Sequence, residues 1–309
     1  MVMRLLLLAA RYGKALLILG LIAGIALPSL ADAMKPHIGA LVAMLLFLAA
    51  LRVGPRQAAG STRDLGRSVM LAFVFQLAMP VVAILLFLAT GFTGPVALGL
   101  ILLLAASPVS GSPNLTIMTG NEPAAALRQL VIGTALLPLT IIPVFWLWPD
   151  LGGAREVFGA AAWLLTLIVI AALAGFGLRA SVLRNPTVRA LQAVDGLSAI
   201  AMGVVVIGLM SAVGPALTGE PLQLLAMLAA TIGANLGLQM LVATACRRAG
   251  WTADAAALGI VAGNRNIALF LTVLPQNTID PVLLFVGCYQ IPMYLTPALL
   301  GWFYKRPPA

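Results

Sequence analysis

Two short polar stretches interrupt long apolar runs of this chain, and they hold the side chains best suited to chemistry. The later stretch, Gly263-Asn264-Arg265-Asn266-Ile267, lies in an apolar run from about 253 to 274. An arginine inside such a run costs at least about 2.5–3.5 kcal/mol, so it indicates a functional site, where its fixed positive charge could face an anion. The earlier stretch, Gly111-Ser112-Pro113-Asn114-Leu115, repeats the pattern Gly-x-x-Asn 152 residues upstream, which suggests a duplication.

Composition predicts a polytopic helical membrane protein. The 309 residues are 62% hydrophobic and 9% charged, with a mean hydropathy of +1.08, whereas soluble domains are about 25% charged. Apolar runs of about 20 residues recur, and the short alternating stretches of an outer-membrane barrel do not. The net charge of +9 comes mostly from short loops between these runs, so it indicates membrane topology and contact with lipid, with no nucleic acid as partner.

Hydropathy predicts ten spans in a single unit of residues 1–309. They cover residues 14–31, 37–53, 68–90, 95–119, 123–148, 157–178, 190–213, 221–245, 253–274 and 281–303. An internal N-terminus places 15 of the 18 Lys and Arg residues inside, so both termini are predicted to be cytoplasmic. Because five spans are an odd number, halves of about 14–148 and 157–303 form an inverted repeat, in which spans 4 and 9 meet near the midplane. The short loops favour a bacterial inner membrane, and the sequence has no signal for oligomeric state.

Spans 4 and 9 are predicted to be broken helices. Pro108 and Pro113 remove backbone donors in span 4, and Gly263 relaxes span 9. The alternatives are that the prolines only kink span 4, and that Arg265 pairs with Asp195 or with backbone carbonyls as a structural support. Other spans contain further polar residues for which interhelical hydrogen bonding is the alternative to ligand binding: Gln76, Asn235, Gln239, Tyr289, Gln290 and Tyr294.

Along nearly its whole length, the chain resembles the bile acid:sodium symporter family. The likeness is carried by residues 41–52, 75–80, 107–120 and 261–269. It implies ten helices in a 5+5 inverted repeat with broken helices 4 and 9 crossing, a panel of spans 1, 2, 6 and 7, and a core of spans 3–5 and 8–10. It also implies an organic anion bound beside the crossing, usually with two sodium ions that drive transport.

Carried over to this sequence, the resemblance implies sodium ligands at Gln76 and Asn114, but the span 9 motif departs from the family. The family's Glu-x-Gly-Met-Gln-Asn is Val-Ala-Gly-Asn-Arg-Asn here. The carboxylate that bridges both sodium ions is therefore Val261, and the glutamine of the second site is Arg265. A guanidinium only donates hydrogen bonds and repels sodium.

Three further ligand positions of the family also lack their oxygen atoms. The serine that precedes the helix 4 asparagine is Pro113, and the hydroxyl ligands of helix 5 fall near Ala126 and Leu130. The sodium sites are therefore expected to be dismantled.

These residues favour a secondary transporter of a small organic anion by alternating access, with weakened or absent sodium coupling because Arg265 stands in for the second sodium ion. The candidate substrate-binding residues are Ser112, Pro113, Asn114, Asn264, Arg265, Asn266, Tyr289 and Gln290, and the ion-site remnants are Gln76, Asn114 and Asn264. Sodium bound at Gln76 and Asn114 in a sodium-coupled symporter is one alternative, and a transporter-like ligand sensor or scaffold is another. No cofactor and no enzyme site are predicted, since paired carboxylates, HExxH and a Ser/His/Asp set are missing.

Overall fold

The structure, a computed structural model, describes residues 1–60, 65–151 and 153–305. In these ranges the chain is helical and has no β-strand. Seven helical runs are long and apolar enough to cross a membrane: Pro28–Arg56, Leu65–Thr90, Ala124–Leu147, Ala154–Ser181, Val188–Gly219, Pro221–Arg248 and Gln276–Tyr304. The pair Val2–Arg11 and Ala15–Ala26, bent by 86°, makes an eighth if it is one span. The chain is therefore a multi-pass membrane protein.

Some of these runs are single α-helices, and others are made of two or more consecutive helical segments. They are α1 (Val2–Arg11), α2 (Gly13–Ala26), α3 (Pro28–Met34), α4 (Ile38–Gly60), α5 (Leu65–Phe73), α6 (Met79–Thr90), α7 (Pro95–Ala105), α8 (Ser112–Met118), α9 (Ala124–Leu147), α10 (Ala154–Ser181), α11 (Val188–Leu209), α12 (Val213–Gly219), α13 (Pro221–Arg248), α14 (Ala255–Gly263) and α15 (Gln276–Tyr304). Turns of 3-10 helix cover Lys35–His37, Pro149–Leu151 and Ile267–Thr272, and a π-helical turn covers Val74–Ala78.

Three of the ten predicted spans, the first, fourth and ninth, are not single long helices. The first ends early at Ala26, because Pro28 starts a new helix at its first position. The loop predicted at residues 32–36 is wrong, since the chain there is helical and Pro36 lies in the first turn of a 3-10 segment. The count of ten spans and the inverted repeat stay predictions. Arg63 and Arg306, which contributed to the predicted topology, lie outside the described residues.

Helix packing falls into two groups. Helices α1 to α4 pack with α10 and α11, and helices α5 to α9 pack with α13 to α15. Glycines allow close approach in the first group: a Cβ on Gly20 of α2 would lie 2.6 Å from the carbonyl oxygen of Gly203 of α11. Farther along, a Cβ on Gly24 of α2 would lie 2.8 Å from the carbonyl oxygen of Ile207 of α11, so the two helices run in the same direction.

Helix α4 runs in the opposite direction to α11. Near its start, Ile38 lies against Gly208 of α11, and farther along Leu48 shares an apolar cluster with Val194. The chain therefore turns back on itself between α2 and α3, and α3 continues into α4 in one run.

Two short helices lie in the middle of the second group. All nine residues of α14 are buried, as are seven of the eleven residues of α7. Both helices are apolar on every side, as expected for helices enclosed by other helices. Each ends inside the protein, so its last carbonyl groups need hydrogen-bond partners there.

Candidate functional site

The interruption between α7 and α8, at residues 106–111, is made by local sequence. Helix α7 ends at Ala105, and Ala106 is extended, with φ −65° and ψ 152°. Pro108 has no backbone donor, and Pro113 lies in the first turn of α8, where no donor is needed. The fourth predicted span is thus interrupted where its prolines lie.

The interruption after α14 has a different cause. Helix α14 ends at Gly263, Asn264 is extended with φ −106° and ψ 92°, and a 3-10 turn begins at Ile267. Gly263 packs so closely on α13 that a Cβ atom there would collide with the carbonyl oxygen of Asn235 and the side chain of Gln239. Tertiary packing therefore requires glycine at the last residue of this helix.

The two interruptions lie against each other as a short antiparallel pair. Pro108 is opposite Arg265. The backbone N–H of Val109 donates to the carbonyl oxygen of Asn264 at 3.0 Å, and the backbone N–H of Asn266 donates to the carbonyl oxygen of Ser107 at 2.8 Å. Pro108 holds the position of the pair that makes no ladder hydrogen bond, so its missing donor costs nothing. Residues 264–266 thus pair with 107–109, five residues before the 112–114 stretch that the sequence repeat aligned with them.

The side chain of Arg265 joins the ends of both buried helices. Its Nε donates to the carbonyl oxygen of Ala262 at 2.9 Å, and its Nη1 donates to that of Ala106 at 3.0 Å. These oxygens end α14 and α7, where the helix dipoles place partial negative charge. The guanidinium carbon also lies 5.2 Å from the ring centroid of Phe75, which attracts a cation. One cation therefore stabilises two converging helix C-termini.

Arg265 is only 1% exposed and has no acidic partner among the described residues. The predicted alternative of a pair with Asp195 is wrong, because the Oδ1 of Asp195 accepts from Nε of Arg52 at 2.6 Å. The alternative of backbone carbonyl partners is correct. The Nη2 of Arg265 has no hydrogen-bond partner in the described part of the chain. The site therefore holds a buried positive charge with one donor group still available.

A polar network braces the end of α14 from behind. The Nδ2 of Asn235 and the hydroxyl of Tyr289 each donate to the carbonyl oxygen of Gly263 at 2.6 Å. The backbone N–H of Arg265 donates to the same Tyr289 oxygen, and Nδ2 of Asn264 donates to Ile260. Asn264 and Tyr289, predicted as substrate ligands, thus form hydrogen bonds with backbone atoms around the interruption.

The network extends to Thr296, a residue that the sequence did not single out. The hydroxyl of Thr296 donates to Oδ1 of Asn264 at 3.1 Å, and Nε2 of Gln239 donates to Thr296 at 3.0 Å. Thr296 follows Tyr289 by seven residues and so lies on the same face of α15, a signal that could have identified it. The carbonyls that hold Arg265 have no side-chain signature.

The remaining predicted ligands are more scattered. Ser112 is buried and its hydroxyl has no partner among the described residues, whereas Pro113 is partly exposed and Asn114 is exposed. Asn266 is half-buried at the crossing. Gln290 is buried and donates to a carbonyl of its own helix at 3.0 Å. Pro113 and Asn114 therefore lie on the more open side of the crossing, whereas Ser112 is buried.

Gln76 lies in the π-helical turn Val74–Ala78, a geometry often found at functional sites. It is buried, and its Oε1 accepts from the hydroxyl of Thr140 at 3.2 Å. Its amide nitrogen occupies the space that a Cβ on Gly133 would need, next to Pro108. Gln76 thus packs beside the crossing, but it makes no hydrogen bond to Asn114.

The positions at which the family resemblance implies further sodium ligands are filled by hydrocarbon. Val261 and Ala126 lie in one apolar cluster with Phe75, and Leu130 is also buried. Hard cations need oxygen ligands, and these side chains have none. The residues present therefore do not fit a sodium ion at this place.

Neither a protein-family model nor a curated protein matches this chain. Its function is therefore inferred from the crossing itself.

Proposed function

We propose that this protein is a secondary transporter of a small organic anion that works by alternating access. The observation that carries the proposal is the buried guanidinium of Arg265 at the crossing of two interrupted helices, where neither an acidic partner nor a hydrogen-bond acceptor for its Nη2 is found among the described residues. Interrupted helices that cross are a recurrent binding architecture of secondary transporters. A buried cation with an unused donor favours an anion as ligand.

The proposed role of Arg265 is that of a fixed ion. Transporters of the family that this sequence resembles hold the crossing together with bound sodium, whereas here one guanidinium bonds to the carbonyl ends of both helices. Because this charge is covalently attached, it stays in the site throughout the transport cycle. We therefore expect transport without sodium coupling, an expectation that the apolar surroundings of Val261 support.

The proposed architecture has ten spans in a 5+5 inverted repeat, with the two packing groups as panel and core. Two observations support it. The chain segments run antiparallel at the crossing, as they must if the two halves enter the membrane in opposite directions. Helix α2 is parallel to α11 and α4 is antiparallel to it, as spans 1, 2 and 7 of such a repeat would be. Both termini are proposed to be cytoplasmic in a bacterial inner membrane.

The test is uptake of labelled pantoate, pyruvate and a bile acid into proteoliposomes, with external sodium replaced by choline. We expect uptake by the wild type in choline and a loss of at least about tenfold in Arg265→Gln, because the amide has no charge. Arg265→Lys keeps the charge but cannot reach both carbonyls as a planar fork does, so it should retain part of the activity.

Arg247→Gln is the matched control. Its Nη2 donates to the carbonyl oxygen of Phe303 at 2.9 Å, so Arg247 too bonds to a helix carbonyl. Unlike Arg265, however, Arg247 is exposed and takes no part in the crossing. Uptake should persist in this variant. Strict sodium dependence of the wild type would instead favour a sodium-coupled symporter, and saturable binding without accumulation would favour a ligand sensor.

A further inference from the structure

A cavity of about 440 Å³ lies between the two packing groups. Helices α4 and α10 form one side, and the segment Ile267–Thr272 with α15 forms the other. Most of its wall is apolar: Ile38, Ala43, Leu167, Leu271 and Leu283, with Trp163 at its edge. The volume is in the range of small-molecule sites, which is about 300–1,000 Å³. The cavity thus has room for an apolar body the size of a small metabolite.

Lys35 is the charged residue among those that line this cavity, and it is held across the gap by Asp280. Its Nζ lies 2.8 Å from Oδ1 of Asp280, and the two side chains are 36% and 56% exposed. The pair joins the 3-10 turn before α4 to the N-terminal part of α15, elements on opposite sides of the cavity. An exposed ion pair is worth only about 0–1 kcal/mol, so another carboxylate can replace Asp280.

We propose that this cavity binds an amphipathic carboxylate whose head group takes the place of Asp280 on Lys35. The proposal rests on the proposed function, and it names the substrate class and the residue that first receives it. The carboxylate of Asp280 marks where a ligand carboxylate bonds to Nζ. The apolar part of the ligand lies along Leu271 and Leu283, where it is removed from water.

Ligand exchange at Lys35 also releases the link between the two sides of the cavity. Among the described residues, Lys35 and Asp280 form the ion pair that connects α15 to the helices around α4. A bound carboxylate therefore frees α15 from that contact. The segment Ile267–Thr272 leads from this cavity to Arg265, about 12 Å away for six residues at about 2.0 Å each. Arg265 thus lies just before the start of this segment, and the last two residues of the segment line the cavity together with Lys35.

The experiment measures protection of a cysteine in the cavity wall of the full-length protein in detergent. Ala43→Cys places a thiol on the wall, and the native Cys246 and Cys288 are buried, so a water-soluble maleimide should label mainly the new residue. We expect octanoate to slow labelling and the uncharged octanamide to slow it at least about tenfold less effectively. Ala40→Cys, also on the wall, serves if Ala43→Cys does not fold.

Two further variants in this background test whether Lys35 binds the ligand carboxylate or only links the two sides of the cavity. Lys35→Gln removes the cation and should weaken octanoate protection by at least about tenfold, whereas Asp280→Asn removes the competitor and should strengthen it. Both variants break the same ion pair, so a purely structural latch predicts changes in the same direction. Three results would overturn the proposal. They are changes in the same direction in the two variants, protection by octanamide equal to that by octanoate, and no protection by octanoate at all.

The same assay on Arg265→Gln keeps this proposal apart from the proposed function. Arg265 does not line the cavity, so octanoate should still protect the cysteine. If octanoate still protects the cysteine and uptake by Arg265→Gln is unaltered, the proposed role of Arg265 at the crossing is wrong and the cavity proposal stands. If octanoate does not protect the cysteine but uptake depends on Arg265, the cavity proposal is wrong and the proposed role of Arg265 stands.

Discussion

The two interrupted helices at the crossing are held open by different means. Residues 106–111 contain their own helix breaker in Pro108, and Pro113 starts the next helix. Residues 264–266 contain no proline, and the carbonyl groups of Ala262 and Gly263 just before them accept from side chains of α13, α15 and Arg265. The first interruption would therefore form from local sequence alone, whereas the second depends on the folded protein.

Exposure differs in the same way. Asn114 is exposed and Pro113 partly so, while Asn264 and Arg265 are buried. The more open side is free to contact a ligand, and the buried side supplies fixed charge and rigidity. The proposed transport site would combine both properties, which come from different halves of the chain.

Arg265→Met should produce the largest loss of stability, because it removes the donors for two buried carbonyls of α7 and α14. An unsatisfied buried acceptor costs about 1–3 kcal/mol, so the free energy of unfolding should fall by about 2–6 kcal/mol. The measurement is reversible unfolding in mixed detergent micelles. Arg247→Met, the exposed counterpart, should lose less than about 1 kcal/mol. Similar losses in the two variants would mean that Arg265 does not hold the crossing.

Gly263→Ala should come next, and Gly111→Ala is its counterpart from the repeated motif. A Cβ on Gly263 collides with α13, so overpacking should cost about 1–3 kcal/mol or more. Gly111 has open space around it and an ordinary φ of −79°, so alanine should change the free energy of unfolding by less than about 0.5 kcal/mol. Equal effects at the two glycines would contradict the difference between the interruptions.

Tyr289→Phe should have an intermediate effect of about 1 kcal/mol. The hydroxyl accepts from the backbone of Arg265 and donates to Gly263, but Asn235 also donates to Gly263, so one partner is left unsatisfied. Tyr294→Phe, on the same helix, is the control, since its hydroxyl makes no hydrogen bond to a described residue. A larger loss of stability in Tyr294→Phe would mean that the Tyr289 hydroxyl does not stabilise the interruption.

Much of the architecture could be predicted because membrane insertion leaves a strong sequence signal. Long apolar runs identified the membrane class, and prolines identified the first interruption. The length of α2 was mispredicted because hydropathy averages over Pro28, which starts a new helix. The second interruption was predicted from Gly263 and its polar neighbours, but not the side chains that stabilise it.

The candidate site could be predicted only in part, because its main contacts are made to backbone atoms. Arg265 was visible as a charge in an apolar run, but its partners, the carbonyls of Ala106 and Ala262, have no side-chain identity. The register of the crossing was not visible either, since the repeated Gly-x-x-Asn pattern aligns 263–266 with 111–114. The cavity at Lys35 joins residues from four separate segments, so only folding brings them together.

Asn114→Ala should have the smallest effect on stability and still alter transport. The side chain is exposed and makes no hydrogen bond to a described residue, so the free energy of unfolding should stay within about 0.5 kcal/mol of the wild type. By contrast, the buried Asn264 of the second interruption accepts from Thr296 and donates to Ile260, so Asn264→Ala should lose about 1–3 kcal/mol. If the exposed amide binds the anion, removing that hydrogen bond should raise KM for uptake about twofold to tenfold. An unchanged KM would remove Asn114 from the substrate-binding set and leave the buried half as the whole of the site.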